Sequence, residues 1–269
     1  NRRHSHMIFE VKNGSFAYDA QHPVLKDISF GIEKGKILSI LGSNGIGKTT
    51  LLKCMLGFLQ WDSGDTWFEN KPRNQYKENE FWKKVAYVPQ SHFQPFPCSV
   101  KDTVLMGRSA YLHLFSMPTK QDEQIAQEAM ELCGITHIQD ANINEISGGQ
   151  MQLAYIARAL CTKPEVMVLD EAETGLDYAN QQIVLQLLKK LAKQNNLTVI
   201  FNTHYPDHAL DIADKTLLLL QDKTAITGNT MDILTEENCK KTFGIDIHLL
   251  KCKIQGEVYH TLIPLRNKE

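Results

Sequence analysis

The chain has 269 residues, 42% of them hydrophobic and 22% charged, with 29 basic and 31 acidic side chains for a net charge of −2. That length supports one large α/β domain or two small ones, with a core that needs neither disulfides nor metals. The balance excludes wholesale disorder, fibrous repeats and a bulk positive field for nucleic acid.

Residues 1–6, Asn-Arg-Arg-His-Ser-His ahead of Met7, read as a purification-tag remnant and not as a targeting signal. Residues 8–11, 25–32 and 36–41 are short β-like pieces, and the last of them is apolar enough for a buried strand. It runs into Gly42-Ser43-Asn44-Gly45-Ile46-Gly47-Lys48-Thr49, and residues 50–59 have the composition of a helix. Residues 93–163 lack strand signals. Helical patterning at Ile125, Ala129 and Leu132, and again over 151–160, predicts a helical subdomain inserted into an α/β core. Residues 166–169 form a second buried strand, 179–193 an amphipathic helix and 198–201 a third strand. Strand, helix, strand in that order is a βαβ unit and implies a parallel sheet. Beyond it, 232–238 reads as a turn into a short helix and 245–263 as a weakly alternating strand pair, with no chemistry assigned. No apolar run approaches the roughly 18 residues needed to cross a bilayer. The six cysteines form no C-x-x-C pair and read as buried or incidental thiols of a reducing compartment.

Residues 42–49 match G-x-x-x-x-G-K-[ST] between a strand and a helix. In that pattern backbone N–H groups wrap a phosphate above a helix N-terminus. Lys48 then reaches the β- and γ-phosphates and the Thr49 hydroxyl ligates Mg²⁺. A glycine-rich turn is the plain alternative. Asp170, at the C-terminal end of the second strand, suits a Mg²⁺ held through water. Glu171 beside it suits a general base that polarises an attacking water. The two motifs together read as a nucleotide hydrolase of unspecified kind.

Ser147-Gly148-Gly149-Gln150 taken alone is a helix capping box. It heads the helix of 151–160 and stands 20 residues before Asp170. In that setting the chain resembles the ATP-binding cassette (ABC) ATPases, whose signature ends in this tetrapeptide, from Ile8 to about Gly244. The resemblance implies an α/β fold: a P-loop NTPase core with a mostly parallel sheet, an N-terminal antiparallel β subdomain and the inserted helical subdomain. Residues 7–269 would form a single nucleotide-binding domain, with a C-terminal extension from about 240.

The resemblance also implies roles. Gly42, Ser43, Asn44, Gly45, Ile46, Gly47, Lys48, Thr49 and Thr50 bind the ATP phosphates, and Tyr18 stacks on adenine, a strand-core aromatic being its alternative. Thr49, Gln90 and Asp170 hold Mg²⁺, while Glu171, His204 and Gln90 are catalytic, His204 contacting the γ-phosphate. Ser147, Gly148, Gly149 and Gln150 complete the site of a second copy in a head-to-tail dimer with two ATP between the copies. Asp177, in Thr174-Gly-Leu-Asp177, communicates across that dimer, a simple helix N-cap being its alternative. Ile146, Met151, Leu153, Ala172 and Glu173 depart from the family pattern, but none removes a phosphate ligand or the base, so hydrolysis is expected.

Val104-Leu-Met-Gly-Arg108 resembles the subfamily serving importers of iron–siderophore complexes, haem, cobalamin and related metal species. Residues 93–114 would then meet a separate integral-membrane permease, itself served by an extracytoplasmic substrate-binding protein. The expected place is the cytoplasmic face of the inner membrane, held peripherally, with no nucleic-acid partner. An exporter subunit and a soluble non-transport ABC ATPase are the alternatives. A P-loop kinase leaves residues 147–150 and His204 without a purpose.

Overall fold

The computed structural model describes residues 7–19, 21–90, 97–111 and 117–265. Residues 1–6, expected as a tag remnant, residues 93–96 and 112–114 of the stretch expected to meet a permease, and residues 266–269 of the expected C-terminal extension lie outside them. In chain order the strands of the first half are β1 (Met7–Ala17), β2 (Pro23–Glu33), β3 (Ile37–Leu41), β4 (Ser63–Phe68), β5 (Lys71–Pro72) and β6 (Val85–Val88). They are followed by β7 (Val166–Asp170), β8 (Thr198–Thr203), β9 (Lys215–Leu219), β10 (Ala225–Asn229), β11 (Ile247–Ile254) and β12 (Glu257–Pro264). The helices are α1 (Lys48–Leu56), α2 (Glu78–Lys84), α3 (Val100–Leu105), α4 (Lys120–Leu132) and α5 (Gly148–Leu160). After them come α6 (Tyr178–Asn195), α7 (Pro206–Ile212), α8 (Thr230–Ile233) and α9 (Glu236–Phe243). The chain divides into two compact units, Asn1–Tyr76 with Thr198–Glu269, and Lys77–Leu197.

In the first unit β2, β1, β4 and β5 form an antiparallel sheet in that order. Along β2 the buried residues Leu25, Ile28, Phe30 and Ile32 give the one-sided pattern of a sheet with a single core face. The second sheet is built on β3, which pairs in parallel with β8 (Leu38 opposite Ile200) and with β9 (Ile40 opposite Leu217). β10 closes it in antiparallel on β9. All five residues of β3 and all six of β8 are buried, which is why each reads from an apolar stretch, Val199–Phe201 in β8, and not as an alternating strand. α1 stops at Leu56 and not near 59, because Gly57 adopts a left-handed conformation with φ 85° and caps the helix. The predicted strand pair near the C-terminus is the hairpin β11–β12. Its Ile247 and Leu262 share a core with Leu41, Leu218, Leu234 and Cys239, so the C-terminal segment packs against the end of β3.

In the second unit β6 and β7 pair in parallel, Val85 opposite Val166 and Val88 opposite Leu169. The helical patterning at Ile125, Ala129 and Leu132 falls in α4, and that over 151–160 in α5, which starts three residues earlier at Gly148. Arg108, from the Val104–Arg108 stretch, is buried. Its Nε donates to Asp122 Oδ1 at 2.8 Å and its Nη1 to the Cys161 carbonyl at 2.8 Å, which ties the starts and ends of neighbouring helices together. Asp122 also accepts from the Thr119 backbone N–H in the capping box of α4. Gly107 explains its own place: a Cβ there would stand 2.0 Å from the Arg158 carbonyl oxygen. Gly107→Ala is therefore expected to cost about 1–3 kcal/mol through overpacking, read as a lowered urea midpoint at unchanged m-value. Among the described residues no helix is long and apolar enough to cross a membrane. Cys54, Cys133 and Cys161 are buried thiols pushed up to about 12 by desolvation, in keeping with the inert role read from their spacing.

Candidate nucleotide site

The first unit carries the phosphate loop. β3 ends at Leu41, and the chain turns through Gly45 (φ 75°) and Gly47 (φ 118°), conformations that L side chains rarely adopt. A Cβ on Gly47 would meet Val24 Cγ1 at 2.8 Å, whereas nothing lies within 4 Å of the Cβ position of Gly45. Asn44 and Gly45 are exposed, and Ile46 is buried and anchors the loop from below. Gly47 caps α1 with no side-chain hydrogen bond, which puts the helix N-terminus, the end that favours an anion, at the loop. Lys48 is 4% exposed, and its ammonium sits inside the loop, donating to the Gly42 carbonyl at 3.0 Å and the Ser43 carbonyl at 3.2 Å. The Ser43 side chain turns outward instead, and its Oγ donates to the Thr242 carbonyl at 2.6 Å. Thr49 is half-buried at the first turn of α1. The Thr50 hydroxyl stands 3.3 Å from the Tyr18 hydroxyl. Tyr18 lies just beyond β1 and is 62% exposed, which removes the strand-core alternative and leaves a ring face for a planar ligand. Phe16 braces it edge-on at 5.0 Å. His204 follows β8 directly, half-buried, with its ring centroid 4.0 Å from that of Tyr205.

The second unit carries the carboxylates. Asp170 ends β7 at 2% exposure and accepts from the Tyr87 hydroxyl at 3.2 Å. Burial, reinforced by the Asp170 charge, pushes the Tyr87 phenol well above its usual range, which keeps it a proton donor to the carboxylate. Glu171 follows in the left-handed region with φ 47°, a backbone strain that a tight turn must hold. Its Oε2 accepts from Gln90 Nε2 at 2.9 Å and from the Thr174 hydroxyl at 3.3 Å. Gln90 and Glu171, 81 positions apart in sequence, are thus direct partners.

Residues 147–150 form a capping box at α5: Ser147 Oγ accepts from the Gln150 N–H at 3.2 Å and Gln150 Oε1 accepts from the Ser147 N–H at 3.0 Å. Ser147 and Gly148 are exposed, whereas Gly149 is buried and a Cβ on it would stand 2.4 Å from the Asn180 side chain. Asp177 N-caps α6, accepting from the Asn180 N–H at 2.8 Å and from Asn180 Nδ2 at 3.0 Å. Leu153, Ala172 and Glu173 are buried, so these departures from the family pattern sit in the interior of the fold. Tyr87 was no sequence candidate: a tyrosine inside a short strand carries no spacing that marks it.

Of the residues expected to hold Mg²⁺, Thr49 in the first unit offers a hydroxyl, and Gln90 and Asp170 in the second an amide and a carboxylate. No group of three or more His, Cys, Asp or Glu side chains among the described residues could hold a metal alone. Few hard oxygen donors and no all-protein cage fit Mg²⁺, which keeps several waters and takes the rest of its shell from phosphates.

The model of the family described as ABC transporter matches residues 25–174. The molybdate import ATP-binding protein MolC of Haemophilus influenzae is 37% identical over 255 residues, 95% of each chain. The manganese transport system ATP-binding protein MntB of Bacillus subtilis is 37% identical over 250 residues, 92% of this chain and 97% of that one. A solved structure described as an ABC transporter of metal-chelate type, inward-facing, superposes with a TM-score of 0.87 at 36% identity, covering 97% of this chain and 98% of that one.

Proposed function

The chain belongs to the ABC transporter family, whose ATP-binding subunits hydrolyse ATP, and from that premise we propose that it powers import of a metal chelate, metal ion or metal oxyanion through a separate membrane permease. The observation that carries the ATP site is the phosphate loop, with Lys48 drawn inside it at the N-terminus of α1. The reading as an importer is supported by two relatives covering nearly its whole length, named for molybdate import and manganese transport.

In this reading Tyr18 stacks on adenine, and the amides of residues 42–50, a helix N-terminus worth roughly half a positive charge, and Lys48 hold the phosphates. Lys48 reaches them by releasing the Gly42 and Ser43 carbonyls. Thr49, Gln90 and Asp170 would hold Mg²⁺, which would supply neutralisation of the phosphate charge. The Glu171 carboxylate accepts the proton of the attacking water, and Gln90, bonded to Glu171 Oε2, orients it. His204 contacts the γ-phosphate. Residues 147–150 and Asp177 act on a second copy of the chain, closing over its ATP. The capping box fits that role, because it fixes the first turn of α5 while leaving Ser147 and Gly148 on the surface.

Co-expression with a neighbouring permease, followed by reconstitution into liposomes, tests the reading. ATP-dependent accumulation of molybdate, manganese or an iron chelate on the same side as ATP is the expected outcome. Failure to associate with any multi-span protein would overturn the transport assignment.

A further inference from the structure

The Ser43 hydroxyl points away from the inside of the phosphate loop, and its partner lies 199 positions later in the sequence. Thr242 belongs to the last turn of α9, whose final carbonyls have no acceptance from within the helix. The Thr242 carbonyl takes two outside donors instead: Ser43 Oγ at 2.6 Å and Gln221 Nε2 at 3.2 Å. Gln221 Nε2 also donates to Ser43 Oγ at 3.3 Å, closing a three-membered polar cluster beside the loop. Two further observations tie the same segment to the same loop. Leu41, the residue before Gly42, shares its core with Leu234 and Cys239 on either side of the start of α9, and with Ile247 and Leu262 of the hairpin. A Cβ at Gly42 would stand 3.2 Å from Leu219 Cβ, two positions before Gln221.

We propose that the Thr242 carbonyl and Gln221 are positioning groups for ATP binding, holding Ser43 so that the phosphate loop stays preformed. The inference rests on the reading of residues 42–50 as the ATP phosphate site. Lys48 grips the Gly42 and Ser43 carbonyls from inside the loop, and Ser43 is gripped from outside by α9. When Lys48 turns to phosphate, the inner grip is lost and the outer one remains. Without the outer grip the loop must be ordered at the expense of binding, and ATP affinity falls. The C-terminal segment thereby acquires a function: it is the abutment of the loop.

The test compares wild type, Ser43→Ala, Ser43→Thr and Gln221→Leu in the full chain, measuring the ATP dissociation constant with Mg²⁺ and, separately, kcat. Loss of one hydrogen-bonding group should weaken ATP binding about two- to tenfold in Ser43→Ala and Gln221→Leu. The kcat at saturating ATP should stay within about twofold in Gln221→Leu, which lies outside the phosphate loop, and Ser43→Thr, which keeps the hydroxyl, should restore affinity. Combining Ser43→Ala with Gln221→Leu should cost less than the sum of the two, since both act on one carbonyl. Wild-type protein that does not bind ATP would overturn the site itself. Wild-type binding with undiminished affinity in both Ser43→Ala and Gln221→Leu would overturn the positioning role alone, as would a fall in kcat at constant affinity.

Discussion

Glu171→Gln is expected to slow ATP hydrolysis by about two to four orders of magnitude while leaving ATP binding in place, the usual worth of a positioned general base. The substitution keeps the size of the side chain and an oxygen able to accept from Gln90 Nε2, so the turn of residues 171–175 and its left-handed start should survive. What it removes is the capacity to take a proton. Phosphate release under saturating ATP-Mg measures the loss, and equilibrium binding measures what is kept. Gel filtration with ATP-Mg should then show a dimer accumulating, because closure persists when its hydrolytic exit is blocked. Turnover at the wild-type rate would take Glu171 out of the base role.

The largest expected effect on stability is at Arg108. Its guanidinium and the Asp122 carboxylate are both buried and 2.8 Å apart. Arg108→Ala leaves that carboxylate without its cation and the Cys161 carbonyl without its donor, at a cost of about 3–5 kcal/mol. Replacing both partners by apolar residues of similar volume, Arg108→Met with Asp122→Leu, should recover most of it. The pH dependence has a definite sign. The Thr119 N–H, the Arg108 hydrogen bond and the Thr119 hydroxyl lower the Asp122 carboxyl to about 2. Its contribution to stability is therefore full above the unfolded value near 4 and is lost as pH falls toward 2. Urea unfolding of wild type and Asp122→Asn should show a gap at pH 7 that narrows at pH 3 and shrinks further as pH falls through about 2.

The parts of the fold that were legible in the sequence are those whose residues are buried on every side or obey a short rule. β3, β7 and β8 show as apolar runs, and the phosphate loop shows because a tight turn around an anion demands glycines at fixed spacing. β4, Ser63–Phe68, did not show, since its first three residues are polar and exposed. β9 and β10 went unassigned because their pairing with β3 and with each other is a matter of tertiary register, invisible to local pattern. At the site, Asp170 and Glu171 were marked by standing at the end of a buried strand. The partners that hold them and the loop in place, Tyr87 for the carboxylate and Thr242 for Ser43, reach across 83 and 199 positions with backbone or phenolic groups that no motif records. The tetrapeptide at 147–150 had two readings, and the capping box is present in full. The helix start is thus prepared by the chain itself, whatever it later faces.

The parallel pairing of β3 with β8 and β9 has a consequence for how the protein is made. β3 and its loop leave the ribosome long before their neighbours in the sheet, Thr198–Thr203 and Lys215–Leu219, and before Thr242, which supplies the grip on Ser43. At typical elongation rates the nascent strand waits about ten to thirty seconds for β8 alone, exposing a row of apolar side chains meanwhile. Nucleotide competence thus waits for residue 242 to be made, and a translation product cut off before it would carry the phosphate-binding motif without the scaffold that shapes it.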